Sequence, residues 1–330
     1  MPSTLACRTD ACGGAVGGDE STILVRSTRV LSPWPYQPPE GAALRMTHVA
    51  TEDSEFESDF HVYEPHRVGL PKLRPYLTEL WRRREFAAEL SRSGMRAAHS
   101  NTVFGRLWLV LNPLLLATVY YVLVAILTRL AGFEYFVHLL AGLFAFYFIS
   151  GCITTGAASI TGGGRLVMNM AFPRLLMPFS AVRTAFIRFL PTMVIYFAFH
   201  IIGGIPWSPS MLLALVFLAL MIVFGLGASA IFATVQVYFR DAASFLPYFM
   251  RIWLYLSPVL WFPEDAPEAF KPFLILNPLF GLLGGWTDLL VRGQMPEPAI
   301  WVSATVWSFA VLIAGSLFFV SREREFAVRI

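Results

Sequence analysis

The sequence predicts an all-α integral membrane protein with six transmembrane helices, an N-terminal amphipathic interface helix and a re-entrant helical hairpin before the last span. Three observations predict this. Of the 330 residues, 56% are hydrophobic and 14% are charged, against about 25% charged in an ordinary soluble domain. Apolar runs recur at lengths near the roughly 20 residues that one helix needs to cross a bilayer. The stretch 237–263 carries Arg240-Asp241 near its start, continues as apolar and aromatic residues, and breaks at Ser257-Pro258, where proline removes a backbone donor. Irregular backbone at membrane depth is tolerated only where protein buries it or a watery cavity faces it.

In chain order, residues 1–68 are rich in Gly, Ser, Pro and acids. They bury too little apolar surface to offset the entropy of ordering, so a disordered tail is expected. Met46 offers a second N-terminus, which would make residues 1–45 an artefact of the assigned start. That stretch also lacks the continuous apolar core of a cleavable signal. Residues 69–106 form the interface region. Within 72–92, Leu73, Leu77, Leu80, Trp81, Ala87 and Ala88 fall near one helical face, with Arg82, Arg83, Glu85, Glu89 and Arg92 mostly on the other. Trp beside a basic cluster suits a helix lying in the membrane interface, and packing on protein is compatible with that.

The transmembrane domain is expected over 107–320, with a short tail at 321–330. Its spans read as roughly 107–130, 135–160, 178–202, 210–238, 244–262 and 299–320. Basic residues concentrate before the first span, in the loops after the second and fourth, and after the sixth. By the positive-inside rule both termini are cytoplasmic, in the cytoplasmic membrane. In the loop after the second span, Gly162–Gly164 ends one helix, and a short helix fits before Pro173. Between the fifth and sixth spans, Pro272, Asn277-Pro278 and Gly284-Gly285 break an apolar stretch into pieces too short to span, which reads as two re-entrant half-helices.

The chemistry is marked first by what is missing. A P-loop needs Lys directly after Gly. Lys72 follows Pro71 and Lys271 follows Phe270, and these are the only lysines. The chain cannot hydrolyse ATP by that mechanism. Cys7, Cys12 and Cys152 form no disulfide or metal pattern, and neither metal nor cofactor is expected. Glu134 and Asp288 are single carboxylates near the outer side, without the convergence an enzyme wants. Arg183 and Arg188 lie inside the third span, where ionisable residues are functional candidates unless they snorkel to the interface. His138 and His200 read as interfacial. Gly151, Thr155 and Ser159, like Gly225 and Ser229, have the spacing of close helix packing. Aromatics in or near the spans include Tyr120, Tyr121, Phe144, Phe146, Tyr147, Phe148, Trp253, Tyr255 and Trp261. They suit an interface belt or a surface on which sugars stack. Arg240 and Asp241 are expected to shape the turn between the fourth and fifth spans, with Asp241 capping the next helix.

Three stretches resemble a known family. Residues 96–114, RAAHSNTVFGRLWLVLNPL, look like the signature that opens ABC-2-type polysaccharide export permeases, with Arg96, Gly105, Trp108 and Pro113 in register. Residues 164–174 resemble that family's first cytoplasmic loop. Residues 240–296 resemble its closing region, with Arg240-Asp241 and Ser257-Pro258 in place. The resemblance covers about 75–330 and is similar in composition to mycobacterial galactan export permeases. It implies a homodimer, two copies of a separate ATPase subunit, and export of a lipid-linked polysaccharide. It also implies ATPase-coupling roles for Arg82, Arg83, Arg84, Gly164, Arg165, Asn169 and Arg174. Tyr120, Tyr121, Phe148, Trp253 and Tyr255 would line the sugar path among membrane lipids, with no nucleic-acid partner.

Two other classes compete. A membrane enzyme on a lipid-linked sugar would use Glu134 or Asp288 as its acid. A secondary carrier or channel would want acids inside the spans, which carry essentially none.

Overall fold

The computed structural model describes residues 72–99, 107–128, 132–262 and 274–329. The expectations for residues 1–68, for Gly105 and for the first arm of the hairpin over 263–273 lie outside these. Among the described residues the fold is all-helical, with no strand. Five helices among the described residues are long and apolar enough to cross a membrane.

The interface region forms two helices, α1 (Leu73–Arg82) and α2 (Arg84–His99), separated by a turn at Arg83. The first apolar run is α3 (Trp108–Thr128), with Pro113 inside its second turn. As the sixth residue, Pro113 lies beyond the four free donors of a helix start, so α3 lacks the one backbone bond that would run to Leu109 O. Next come α4 (Phe133–Gly162) and the short α5 (Gly164–Asn169). They are followed by α6 (Leu176–Ile202) and, after a 3-10 turn, α7 (Ala214–Tyr238).

α4 is the centre of the molecule. It is apolar all round, as a helix surrounded by others must be, and Leu139, Leu140, Leu143, Ile149 and Ile153 are completely buried. α6 and α7 pack along it, and Gly156 of α4 meets Ser229 of α7 with no room for a Cβ. α3 lies outside this core, with Val119, Val122, Leu123 and Ile126 exposed. α7 crosses the last long helix, α10 (Pro298–Arg322), at Gly227 and Gly315. There the two backbones touch, the close approach that small residues permit between membrane helices.

The expected fifth span differs. α8 (Ala242–Tyr255) has 14 residues and stops two residues before Ser257-Pro258. At 1.5 Å per residue it covers about 21 Å, short of a bilayer's roughly 30 Å. The break is built locally: the Ser257 hydroxyl donates to Trp253 O (2.7 Å) and Val259 N donates to Ser257 O (2.7 Å). Beyond the break the segment continues to Leu260, whose carbonyl accepts a bond from Tyr135 in the first turn of α4 (2.7 Å).

Between α8 and α10 lies α9 (Pro278–Thr287), extended by a π turn over Asp288–Arg292 and closed by Gly293 in the left-handed region. Asn277 caps α9 through Leu279 N and also joins it to α8. Its Oδ1 accepts from Trp253 Nε1 (2.9 Å), and its Nδ2 donates to Leu256 O (3.0 Å).

Candidate functional site

The arginine-bearing segments around residues 83, 174, 183 and 322–329 meet at one end of the bundle. Arg83 donates to Ala171 O (2.8 Å) and pairs with Glu79, and Phe86 packs edge-on against Phe172. Arg183 Nη1 donates to Ala88 O (2.7 Å), and the Thr184 hydroxyl donates to Ser91 Oγ (2.9 Å), which seats α2 on α6. Tyr76 donates to Glu323 Oε2 (2.6 Å), just past the end of α10. Arg174 N donates to the other oxygen of Glu323 (2.5 Å), and its guanidinium reaches Glu323 O (2.6 Å). Burial and the neighbouring Glu323 carboxylate push the Tyr76 phenol above its ordinary range, so it stays a donor.

This geometry divides the expected coupling residues in two. Arg83 and Arg174 are spent on internal ties. Arg82, Arg84, Arg165 and Asn169 are exposed on the same end, and Gly164 opens α5. Met168 and Met170 are also exposed there, as are Leu73, Leu77 and Trp81 on the outer stripe of α1. Arg84 lies over Trp81, 4.9 Å from the ring. Arg96 is exposed on α2. Arg240 reaches the C-terminal turn, donating to Arg329 O (3.4 Å). The Asp241 side chain makes no capping bond. The turn is instead backbone-built, with Ala242, Ala243 and Ser244 N–H groups donating to residues 239–241, so the expected cap is corrected.

The expected aromatic path residues separate in a similar way. The Tyr120 and Tyr255 hydroxyls lie 3.4 Å apart, with their rings edge-to-face. Tyr121 stands apart from them, against Tyr135 and Phe136 at the first turn of α4. Phe148 is buried against Phe186 and Phe189. Trp253 points to Asn277 and packs on Phe224 and Phe249. Ser257 and Pro258 are buried where they break α8.

Two residues outside that set complete the Tyr120–Tyr255 pair. Tyr147 is exposed in the middle of otherwise buried α4. Arg251, about 14 Å along α8 from Ala242, is exposed and within electrostatic reach of Tyr120 and Tyr147. Three phenols and a guanidinium thus share one open face of α3, α4 and α8. Arg251 was visible in the sequence as an ionisable residue inside a predicted span, the default sign of function there. Tyr147 was one aromatic among many, and only packing sets it apart.

At the opposite end, Glu134, Gly203, Arg292 and Gln294 line a cavity of about 610 Å³, and Asp288 is not among its lining residues. Arg292 lies over the Phe262 ring at 4.4 Å. Cys152 is buried and free, and among the described residues no three metal-ligating side chains converge. His138 and His200 are buried in the protein, close to the first turn of α4 and in the last turn of α6.

No family model matches the chain. It is 27% identical over 239 residues to an O-antigen export system permease protein of Klebsiella pneumoniae, spanning 72% of this chain and 92% of that one. A second Klebsiella pneumoniae permease of the same name is 28% identical over 207 residues, 62% of this chain and 80% of that protein. One from Myxococcus xanthus is 25% identical over 253 residues, 76% of this chain and 96% of the relative. The chain is a multi-pass membrane protein, and its resemblance to polysaccharide export permeases of the ABC-2 type, carried in the sequence by three short stretches, holds over most of its length.

Proposed function

We propose that this chain is the permease subunit of an ABC exporter that moves a lipid-linked polysaccharide across the cytoplasmic membrane. A cell-wall galactan or an O-antigen-like glycan is the cargo class. The chain works as a homodimer with two copies of a separate ATPase subunit. The observation that carries this reading is the open face of Tyr120, Tyr147, Tyr255 and Arg251, in a chain similar to export permeases along almost their whole length. A polysaccharide cannot cross about 30 Å of hydrocarbon with its hydroxyls stranded. Aromatic faces support a sliding sugar without one fixed set of hydrogen bonds, and phenols and a guanidinium supply partners along the way.

The arginine-rich end is the cytoplasmic end, so both termini are cytoplasmic. Residues 242–262 make the remaining crossing as a helix plus an irregular segment. The second arm of a re-entrant hairpin is α9, and its tip is tied at Asn277 to Trp253 and Leu256. Residues 1–68 are a tail, 69–106 the interface region, 107–320 the transmembrane domain and 321–330 the closing tail. The ATPase docks on α5 and on the exposed arginines of α1 and α2, where a push on the loop moves α4 and α6 together.

Depletion of the protein tests the reading. Lipid-linked glycan is expected to build up on the cytoplasmic face while surface glycan falls. Normal surface glycan after complete depletion, with no second copy of the gene, would sink it.

A further inference from the structure

A groove of about 530 Å³ runs between α3, α4 and α6, from Trp108 at the start of α3 toward mid-depth. Arg188, the thirteenth residue of α6, lines it. About 18 Å of helix separates Arg188 from Leu176. Its guanidinium is a planar, delocalised cation with a fixed fork of N–H donors. Among the described residues it makes no hydrogen bond or ion pair, and its Nε is sealed from solvent without an acceptor. Among the described residues no carboxylate lines the groove. An unneutralised charge inside a span is costly, and such residues mark substrate pathways. The remaining lining is mostly apolar, with polar points at Asn112, Tyr147, Thr155 and Thr192.

From this geometry we propose that the groove binds the lipid anchor of the exported glycan, with its phosphate or diphosphate on Arg188 and its chain along the apolar walls. A planar fork of donors matches phosphate oxygens, and the pairing neutralises the charge of this half-buried side chain. Tyr147 decides which lipid. It lines this groove and also belongs to the face shared with Tyr120, Tyr255 and Arg251. A phosphate held at Arg188 therefore places what it carries beside the aromatic face, a juxtaposition that a bulk phospholipid has no use for. The assignment rests on the export reading above.

The test uses the full chain in nanodiscs of phosphatidylcholine, with farnesyl diphosphate as probe and native mass spectrometry as readout. The wild type is expected to bind the probe and to ignore farnesol. Arg188→Gln should bind about tenfold more weakly or worse, and Arg188→Lys should keep much of the affinity. Asn112→Leu, on the facing wall, should weaken binding about threefold, which keeps the proposal testable if the Arg188 variants fail to fold. Undiminished binding by folded Arg188→Gln overturns the site. Displacement of the probe by phosphatidylglycerol at equal phosphate concentration overturns the choice of the glycan's anchor. Arg188-dependent binding in a chain whose depletion leaves surface glycan unchanged would remove the export reading and leave a diphosphate site standing. Glycan build-up on depletion, without Arg188-dependent binding, would do the reverse.

Discussion

The Tyr76 hydroxyl donates to Glu323 at 2.6 Å, tying the interface helix to the residue just past the last span, 247 positions away in sequence. Because Arg174 shares the same carboxylate, one side chain clasps three segments. Tyr76→Phe removes one hydrogen bond to a charged group and should cost about 1.5–3 kcal/mol locally. Glu323→Ala strands both donors and should cost more. Thermal unfolding in detergent, or protease cleavage near residue 83, reads both. Equal melting of Glu323→Ala and wild type would remove the clasp.

The same contact has a pH consequence. The folded-state pKa of Tyr76 is raised, so its contribution is fully present below the unfolded value near 10 and is lost only as pH rises through the folded value. The difference in melting between wild type and Tyr76→Phe should therefore stay constant from about pH 7 to pH 10. A difference that disappears by about pH 8 would contradict this.

Arg82 and Arg84 are exposed while Arg83 is tied to Ala171. Arg82→Ala with Arg84→Ala should leave the melting of the chain nearly unchanged, within about 0.5 kcal/mol, and weaken co-purification of the ATPase. Arg83→Ala should loosen the loop at 171 as well, measured as faster hydrogen exchange over residues 164–174. If all three behave alike, the division is wrong.

On the aromatic face, Arg251→Gln and Tyr147→Ala should lower export about tenfold at unchanged protein level, because both side chains are exposed and their loss leaves the core intact. Phe148→Ala should do the opposite. It hollows a packed site against Phe186 and Phe189, costing about 3–5 kcal/mol and lowering the amount of protein. Quantitative surface-glycan assays normalised to membrane protein level separate the two. Wild-type export by Arg251→Gln would take it off the path.

Asp241 makes no side-chain cap, so Asp241→Asn and Asp241→Ala should both melt within about 0.5 kcal/mol of wild type. At Gly227, by contrast, an added methyl meets the backbone of Val311 and Leu312, which has no rotamer to yield. Gly227→Ala should cost about 1–3 kcal/mol and shift the melting curve accordingly. A silent Gly227→Ala would mean that the crossing of α7 and α10 is looser than the structure has it.

Much of this molecule is written locally, and the sequence by itself determined those parts. The apolar runs of α3, α4, α6, α7 and α10 are set by composition and length, since a bilayer asks for little else. Gly162–Gly164, Ser257-Pro258 and Asn277-Pro278 mark where helices end, because a missing donor or a side-chain cap acts within a few residues. Tertiary structure alone decided which side of each helix faces what. A helix that is apolar all round carries almost no facial signal, so α4 at the centre and α3 at the rim look alike in sequence. For that reason Tyr147, rather than Phe148, reaches the open face. Trp253 turns to Asn277, Tyr121 leaves Tyr120 for Tyr135, and Arg188 is left in a groove without a counter-charge. The ties of Tyr76 to Glu323 and of Gly227 to Gly315 join residues far apart in the chain, and no local rule specifies them. They exist because backbones brought together by packing leave room for one geometry at each crossing.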